Sequence, residues 1–209
     1  MSEIDSLKEI IEGIDGQLED KDTVRELVMK SSRAIRRISK NVIQDLHRGE
    51  DCQERLQEAM EEVSKIKSII DEHPDLYHAG FLRNGFQEFA EAHILWSISK
   101  GEAPKSPEGL DITPSSYVLG LADVVGELRR MVLDELAEGN IEKARELHGM
   151  MEEIKNMLMD FEYPNALLPI KNKQDMARNL VEKTRGDITN SMRNERLREK
   201  MEELMGELE

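Results

Sequence analysis

The sequence has few of the residues that many other protein classes need. Cys52 is the only cysteine, so no intrachain disulfide can form, and we expect a reducing compartment, the cytoplasm. Aromatic residues make up 4% of the chain, which is unlike a β-sandwich or barrel. No run of about 18 apolar residues occurs, and the first residues are acidic. Neither a membrane span nor a secretion signal is therefore predicted.

Proline is also scarce, and the 29 basic residues are outnumbered by 44 acidic ones. The six prolines lie at positions 74, 104, 107, 114, 164 and 169, which leaves long stretches without the strongest helix breaker. The net charge is −15, which argues against a general coating of nucleic acid, because phosphate contacts need Lys and Arg. Any nucleic-acid site must therefore be a local exception.

The periodic spacing of apolar residues is the feature that most clearly indicates the fold, and it indicates helices. Charged residues make up 35% of the chain, and apolar residues recur at steps of three and four near both ends, at Ile4, Leu7, Ile11, Ile14, Leu18, Leu197, Met201, Leu204 and Leu208. We predict an all-α fold, an antiparallel bundle of about seven helices within one domain that spans residues 1–209. The apolar seams at both ends predict self-association.

Caps and breakers predict where the helices begin and end. Side chains of residues 20–23 can cap a second helix, which Gly49 would end. Pro74 would end a third helix and introduce a bend. Residues 101–114 contain three prolines and form the predicted loop between the two halves of the chain, and Pro114 can begin the next helix.

One basic segment stands out from the acidic background. Residues 30–40 contain no acidic residue, and a helix would place their five cations within an arc of about 120°. These cations, here called the basic stripe, are Lys30, Arg33, Arg36, Arg37 and Lys40. Such a stripe suits non-specific contact with a phosphate backbone. The alternative is a solvated face that pairs with acidic neighbours.

Two segments carry acidic pairs at helical spacing, and we call the four residues the acidic site. QEFAEAH contains Glu88 and Glu91, and GLADVVGEL contains Asp123 and Glu127. The second pair lies among apolar residues, where a lone carboxylate is costly, so a cation or another partner is needed. Four carboxylates are hard oxygen ligands suited to Mg²⁺ or Mn²⁺. A solvated helix face is the alternative for the first pair.

Histidine chemistry is a weaker interpretation. A ferritin-like di-iron bundle needs Glu-x-x-His, and none of the five histidines follows a Glu by three residues. His93 lies close to the first acidic pair, but a histidine beside an apolar patch is more often simply packed.

Three blocks resemble the translin superfamily: FLRNGFQEFAEAHILW, SSYVLGLADVVGELRRMVLDEL and VEKTRGD. Looser similarity extends from about residue 20 to 190, and the order of the blocks makes it specific. The resemblance is to the metal-dependent ribonuclease branch typified by translin-associated factor X. It implies that Glu88, Glu91 and Asp123 bind metal and act in catalysis, with Glu127 the neighbouring carboxylate. It also implies that the basic stripe binds RNA.

The linker at 101–114 is shorter than that branch often has, and one chain with both features resembles a prokaryotic, archaeal, homomeric form. Our leading hypothesis is a Mg²⁺-dependent endoribonuclease that acts on RNA inside a hollow homo-oligomeric shell, for which the resemblance favours an octamer. One alternative is a non-catalytic scaffold of the translin type that binds single-stranded DNA or RNA. Another is a helical adaptor whose stripe binds an acidic protein.

Overall fold

The computed structural model describes residues 3–70, 73 and 80–206, and these residues form helices and no strand. The six α-helices of the described residues are α1 (Glu3–His47), α2 (Gln53–Ile70), α3 (Gly80–Lys100), α4 (Pro114–Glu138), α5 (Ile141–Met159) and α6 (Lys171–Gly206). The predicted all-α fold is confirmed. Within this part of the chain, every helix is too short or too polar to cross a bilayer.

The first 45 helical residues form one helix where the sequence predicted two. The prediction of a new helix at residues 20–23 is wrong. The Thr23 hydroxyl donates to the Glu19 carbonyl at 3.0 Å, four residues earlier in the same helix, and so caps nothing. Arg25 pairs with Asp22 across the same turn at 2.9 Å. This merger explains why the described residues form six helices rather than about seven.

The end of α1 and the start of α4 agree with the local signals. Gly49 follows α1 with a φ of 69°, a left-handed conformation that glycine adopts at little cost. The Thr113 hydroxyl caps α4 by accepting a hydrogen bond from a backbone N–H three residues later, and Pro114 begins the helix. A short 3₁₀ turn, Glu108–Leu110, lies between α3 and α4. The bend predicted at Pro74 lies outside the described residues.

The core lies around α3 and α4. Helix α3 packs mainly on α1 and α4, and α4 packs also on α5 and α6. Fully buried side chains include Ile35 of α1, Phe86 and Phe89 of α3, and Leu128 of α4. Each such burial contributes about 1.5–3 kcal/mol to stability. These contacts fix the positions of α3 and α4 relative to α1, α5 and α6.

Two glycines allow α3 to approach its neighbours closely. A Cβ atom on Gly120 of α4 would lie 2.6 Å from the Gln87 carbonyl oxygen and 2.9 Å from the Glu91 nitrogen. A Cβ atom on Gly85 of α3 would lie 2.6 Å from the Ser32 hydroxyl of α1. None of these three distances leaves room for a side chain. Helices α1, α3 and α4 therefore converge near the turns of α3 that carry residues 85–91.

Both long terminal helices expose apolar side chains. Near the end of α6, Leu197, Met201, Leu204 and Met205 are 56–66% exposed. At the start of α1, the exposure ranges from 46% to 62% for the residues we call the N-terminal seam, Ile4, Leu7, Ile11, Ile14 and Leu18. Single exposed apolar residues are ordinary, but a regular seam is typical of a surface that packs on another helix.

Candidate nucleic-acid interface and acidic site

The basic stripe lies on one exposed face of α1. All five of its side chains are exposed, whereas Ile35, Ile38 and Val42 on the same helix point into the core. Four stripe residues line a shallow surface groove together with Asn41 and Gln44. The remaining one, Lys30, lines a neighbouring groove between α1 and α2. The stripe thus presents its charges to solvent, as contact with a large anion requires.

The buried centre of the acidic site is Glu91, which is only 7% exposed. Burial, the largest cause, and the charges of Asp123, Glu127 and Glu88 together raise the pKa of its carboxyl group to about 8. Lys173 is the cation that lowers this pKa. The structure therefore brings the two predicted acidic pairs together, one from α3 and one from α4.

Asp123 is held from two sides. The Lys173 ammonium donates to Asp123 Oδ1, and Gln87 Nε2 donates to Asp123 Oδ2 at 2.6 Å. Asp123 and Lys173 are each about three-quarters buried. Since Gln87 belongs to α3 and Lys173 to the first turn of α6, this one carboxylate joins three helices.

Glu127 has a different partner. His47, the last residue of α1, places its Nε2 atom 2.5 Å from Glu127 Oε2, and the histidine side chain is only 4% exposed. This hydrogen bond lowers the pKa of Glu127 below its ordinary value, against the effect of burial. Glu127 is thus held as a carboxylate, whereas neighbouring Glu91 is driven towards its protonated form.

Glu88 connects the acidic site to the basic stripe. Arg36 Nε and Lys40 Nζ lie 3.8 Å and 3.7 Å from Glu88 Oε1. These distances are ion-pair contacts rather than short hydrogen bonds, and both cations are about half exposed. The stripe and the acidic site are therefore adjacent parts of one surface, with Glu88 at their boundary.

Three residues of this arrangement were not predicted from the sequence: His47, Gln87 and Lys173. His47 had a usable signal, because it follows Lys40 by seven residues and so lies near the same helix face. Gln87 also had one, since it lies one turn before Glu91. Lys173 had no such spacing, because it approaches the site from a helix that begins far along the chain.

His93 lies next to α3's acidic pair but serves packing. Its Nε2 atom accepts a hydrogen bond from the Lys105 backbone N–H at 3.3 Å, and its ring stacks on Trp96 with centroids 6.0 Å apart. Burial lowers the pKa of His93 to about 4. A neutral, packed ring agrees with the simpler of the two interpretations of this histidine.

The third sequence block, VEKTRGD, holds α6 against α4. The Arg129 guanidinium of α4 contacts Asp187 at 2.8 Å and donates to the Thr184 hydroxyl at 2.6 Å. The Arg129 side chain is 13% exposed and Thr184 is fully buried. Because Lys173 belongs to the same helix as Thr184 and Asp187, this contact helps to fix the position from which Lys173 reaches the acidic site.

Four carboxylates, one of them buried, form a donor set of the kind that binds Mg²⁺ or Mn²⁺. In their present rotamers, however, no three acidic, histidine or cysteine side chains of the described residues converge closely enough to hold an ion. Asp123 and Glu127 instead face Lys173 and His47. The residue types therefore fit a hard divalent cation, and its binding would require these side chains to turn.

The fold and the site define a class of protein, a helical bundle in which an acidic site on two central helices adjoins a basic face of the first helix. The chain belongs to the translin family, whose sequence pattern matches residues 23–185. The predicted resemblance is confirmed.

The similarity to other proteins covers most of the chain. It is 37% identical to an uncharacterized protein of Methanocaldococcus jannaschii over 186 residues, which is 87% of this chain and 82% of that protein. AfC3PO is similar in a complex with duplex RNA (TM-score 0.80, 31% identity) and in a crystal structure (TM-score 0.79, 32% identity). Each match covers 87% of this chain and 96% of the other. Apo-NeC3PO, at 21% identity and a TM-score of 0.73 over 91% of this chain and 98% of its own, shares the fold.

Proposed function

We propose that this protein is an RNA-binding, Mg²⁺-dependent endoribonuclease that works as a homo-oligomer. One observation carries the proposal: Arg36 and Lys40 of the basic stripe lie within 4 Å of Glu88, a residue of the acidic site. A phosphate held by the stripe would therefore lie beside the buried carboxylates. The complex of the similar AfC3PO with duplex RNA supports RNA as the ligand.

The stripe would supply the affinity for RNA. Its five exposed cations can each neutralise a phosphate and release condensed counterions, which gives binding without sequence preference. Arg36 and Lys40 would exchange a loose contact with Glu88 for one with a phosphate oxygen. Because the chain carries −15 overall, we expect this binding to be confined to the stripe and to depend strongly on salt.

The acidic site would supply the chemistry. Glu88, Glu91, Asp123 and Glu127 are the residues that would hold Mg²⁺ or Mn²⁺. Such an ion, when bound, lowers the pKa of a coordinated water and stabilises the charge that develops on the phosphodiester. Gln87 and Lys173 position Asp123, and His47 positions Glu127. Burial of Glu91 excludes bulk water from one side of the site.

Self-association would enclose the site. The N-terminal seam belongs to a strongly acidic helical segment, and its five apolar residues are 46–62% exposed. Packing of this seam on other copies of the chain would remove that surface from water, at about 25 cal/mol for each Å². We propose a hollow shell, with an octamer favoured, that has the basic stripes and acidic sites inside.

The test is RNA cleavage by the pure protein, with labelled single-stranded and duplex RNA, in Mg²⁺ or in EDTA. We expect cleavage only with Mg²⁺, and its loss in Glu91→Ala and Asp123→Ala. RNA binding in EDTA should persist or tighten in both variants, because the acids do not contribute phosphate affinity. Asp134→Ala is the matched control, an exposed aspartate three turns later in α4. Cleavage at the parental rate by Asp123→Ala would show that the catalytic assignment is wrong.

A second candidate function is a non-catalytic scaffold that binds single-stranded DNA or RNA. The observation that favours it is that Asp123 and Glu127 already have protein partners, which would suffice to join helices. Asp123→Ala would lower the melting temperature in EDTA under either function, by leaving Lys173 unpaired, so the effect of Mg²⁺ distinguishes the two. For the scaffold, no Mg²⁺-dependent cleavage would be seen in any variant, and Mg²⁺ would not raise the melting temperature of the parental protein.

A further inference from the structure

Lys173 occupies an unfavourable position in its own helix. It lies in the first turn of α6, which contains no acidic residue, and its backbone N–H donates to the Ile170 carbonyl at 2.8 Å. The helix macrodipole places partial positive charge at this end, so a lysine here costs α6 stability. The benefit to the fold must come from outside the helix, and the Lys173 ammonium meets Asp123 of α4.

That contact uses an oxygen which a metal ion would need. Lys173 donates to Asp123 Oδ1 while Gln87 donates to Oδ2 at 2.6 Å, so both carboxylate oxygens have a protein donor. The two side chains are 23% and 24% exposed, so water screens their interaction only in part. A divalent cation on the same oxygen would lie a few ångströms from the ammonium, and the two positive charges would repel each other.

The other cations at the acidic site are held less tightly or face a different residue. Arg36 and Lys40 of α1 approach Glu88 only to 3.8 Å and 3.7 Å, and His47 of α1 contacts Glu127. Lys173 is thus the cation of the described residues that directly hydrogen-bonds Asp123. It also enters from the far side of the bundle, because α6 packs on α4 and α5.

We propose that Lys173 is the internal counter-cation of the acidic site: it holds Asp123 before metal binds, and the divalent cation displaces it from that carboxylate. Lys173 therefore sets how tightly the site binds metal. This inference rests on the proposed metal-dependent function and adds to it a competition between one lysine and the ion. In this role Lys173 is a positioning residue that contacts neither RNA nor the reacting atoms.

The experiment is calorimetric titration of Mn²⁺ into the metal-free full chain, with two neutral variants of the lysine. Lys173→Met removes the charge, and Lys173→Gln removes the charge but keeps an N–H donor for Asp123, which preserves folding. We expect both variants to bind Mn²⁺ about five- to tenfold more tightly than the parental protein, the size expected for a partly buried ion pair. Lys171→Met is the matched control, since it removes an exposed lysine from the same turn, and its affinity should be unchanged.

Thermal melting in EDTA and in Mn²⁺ provides a second readout. In EDTA, Lys173→Met should melt at a lower temperature than the parental protein. Mn²⁺ should raise the melting temperature of the variant by more than it raises that of the parental protein. Equal or weaker Mn²⁺ affinity in both neutral variants would overturn the role of Lys173 and leave the proposed function intact. Failure of Mn²⁺ to bind even the parental protein would overturn this inference together with the metal-dependent part of the proposed function.

Discussion

The protonation state of Glu91 is controlled by its surroundings more than by its own chemistry. The side chain is 7% exposed, and burial together with three neighbouring carboxylates raises its pKa to about 8. In the metal-free protein at neutral pH, Glu91 therefore keeps its proton. Binding of a divalent cation would release that proton, so metal affinity should rise with pH up to this value.

The raised pKa of Glu91 makes the stability of the folded protein depend on pH. Because the pKa of folded Glu91 is raised from 4.5 to about 8, the folded state holds a proton that the unfolded state releases, and stability falls as pH rises through this window. His93 acts in the opposite sense between about 4 and 6.5, where its lowered pKa makes stability rise. We therefore expect the free energy of unfolding of the metal-free protein to fall by about 2 kcal/mol between pH 6.5 and 8.

Urea denaturation in EDTA at several pH values measures this loss. Glu91→Gln, which imitates the protonated side chain, should show little change over the same range. Equal pH dependence in Glu91→Gln and the parental protein would contradict the prediction, because another group would then be responsible for the slope.

The residues of the acidic site were only partly predictable. Glu88 with Glu91 and Asp123 with Glu127 are near in sequence, so helical spacing alone places each pair on one face. Which groups hold them depends on how α1 and α6 pack, since His47 and Lys173 are distant in sequence from the carboxylates they contact. The spacing of residues within one helix does not specify how distant helices pack.

At the scale of elements, the approach of α4 to α3 depends on Gly120. A Cβ atom there would lie 2.6 Å from a backbone oxygen of α3, which cannot move away as a flexible side chain could. We predict that Gly120→Ala destabilises the protein by about 1–3 kcal/mol, although alanine is the better helix former. It should also impair RNA cleavage, because Glu91 and Asp123 would separate.

Gly126 in the same helix is the matched control for that substitution. A Cβ atom there would meet nothing within 4 Å, so Gly126→Ala should stabilise α4 by about 0.5–1 kcal/mol through helix propensity alone. Chemical denaturation of both variants tests the pair. Equal stability changes would show that the close approach is not what Gly120 provides.

The basic stripe is the second element with a testable role. Replacing Arg33, Arg36 and Arg37 with Ala should weaken RNA affinity and reduce the slope of log affinity against log salt by about two to three. Folding should persist, because all three side chains are exposed. Filter binding in EDTA at several salt concentrations measures both quantities.

A control for this triple variant removes the same charge from another helix. Arg193, Arg196 and Arg198 of α6 are also exposed, and their replacement with Ala should leave the salt slope unchanged. If only the control variant lost affinity, RNA would bind along α6 rather than along the stripe.

Helix boundaries were predictable where backbone chemistry decided them and not elsewhere. Thr113, Pro114 and Gly49 act through their own caps and torsion angles, so the sequence indicates them directly. Thr23 misled the prediction because a threonine hydroxyl can either cap a new helix or donate back to a carbonyl four residues earlier. In this chain the residues on both sides of Thr23 are helical, and its hydroxyl donates back to the Glu19 carbonyl.

At the scale of the whole molecule, the N-terminal seam should govern assembly. Replacing Leu7, Ile11 and Ile14 with Gln should reduce the particle mass in light scattering while leaving the helical content unchanged, because these side chains are 46–62% exposed. A parental protein that is monomeric at micromolar concentration would contradict the shell.

The control for the seam removes apolar surface elsewhere. Met157, Leu167 and Met176 are 51–67% exposed near the junction of α5 and α6, and their replacement with Gln should not change the particle mass. The all-α fold itself was predictable from composition and periodicity, whereas nothing in the periodicity of one chain determines how many copies assemble.

The continuity of α1 has one more consequence, which concerns rotation. A 45-residue helix is about 68 Å long, and each residue turns the next by about 100°. One residue inserted between the N-terminal seam and the basic stripe would swing the seam a quarter-turn or more around the axis relative to the stripe. An insertion of seven would restore the angle to within about 20° while lengthening the rod by about 10 Å. Length changes in this segment should therefore be tolerated only in whole helical periods, because the helix sets the angle between the seam proposed to join copies and the stripe proposed to bind RNA.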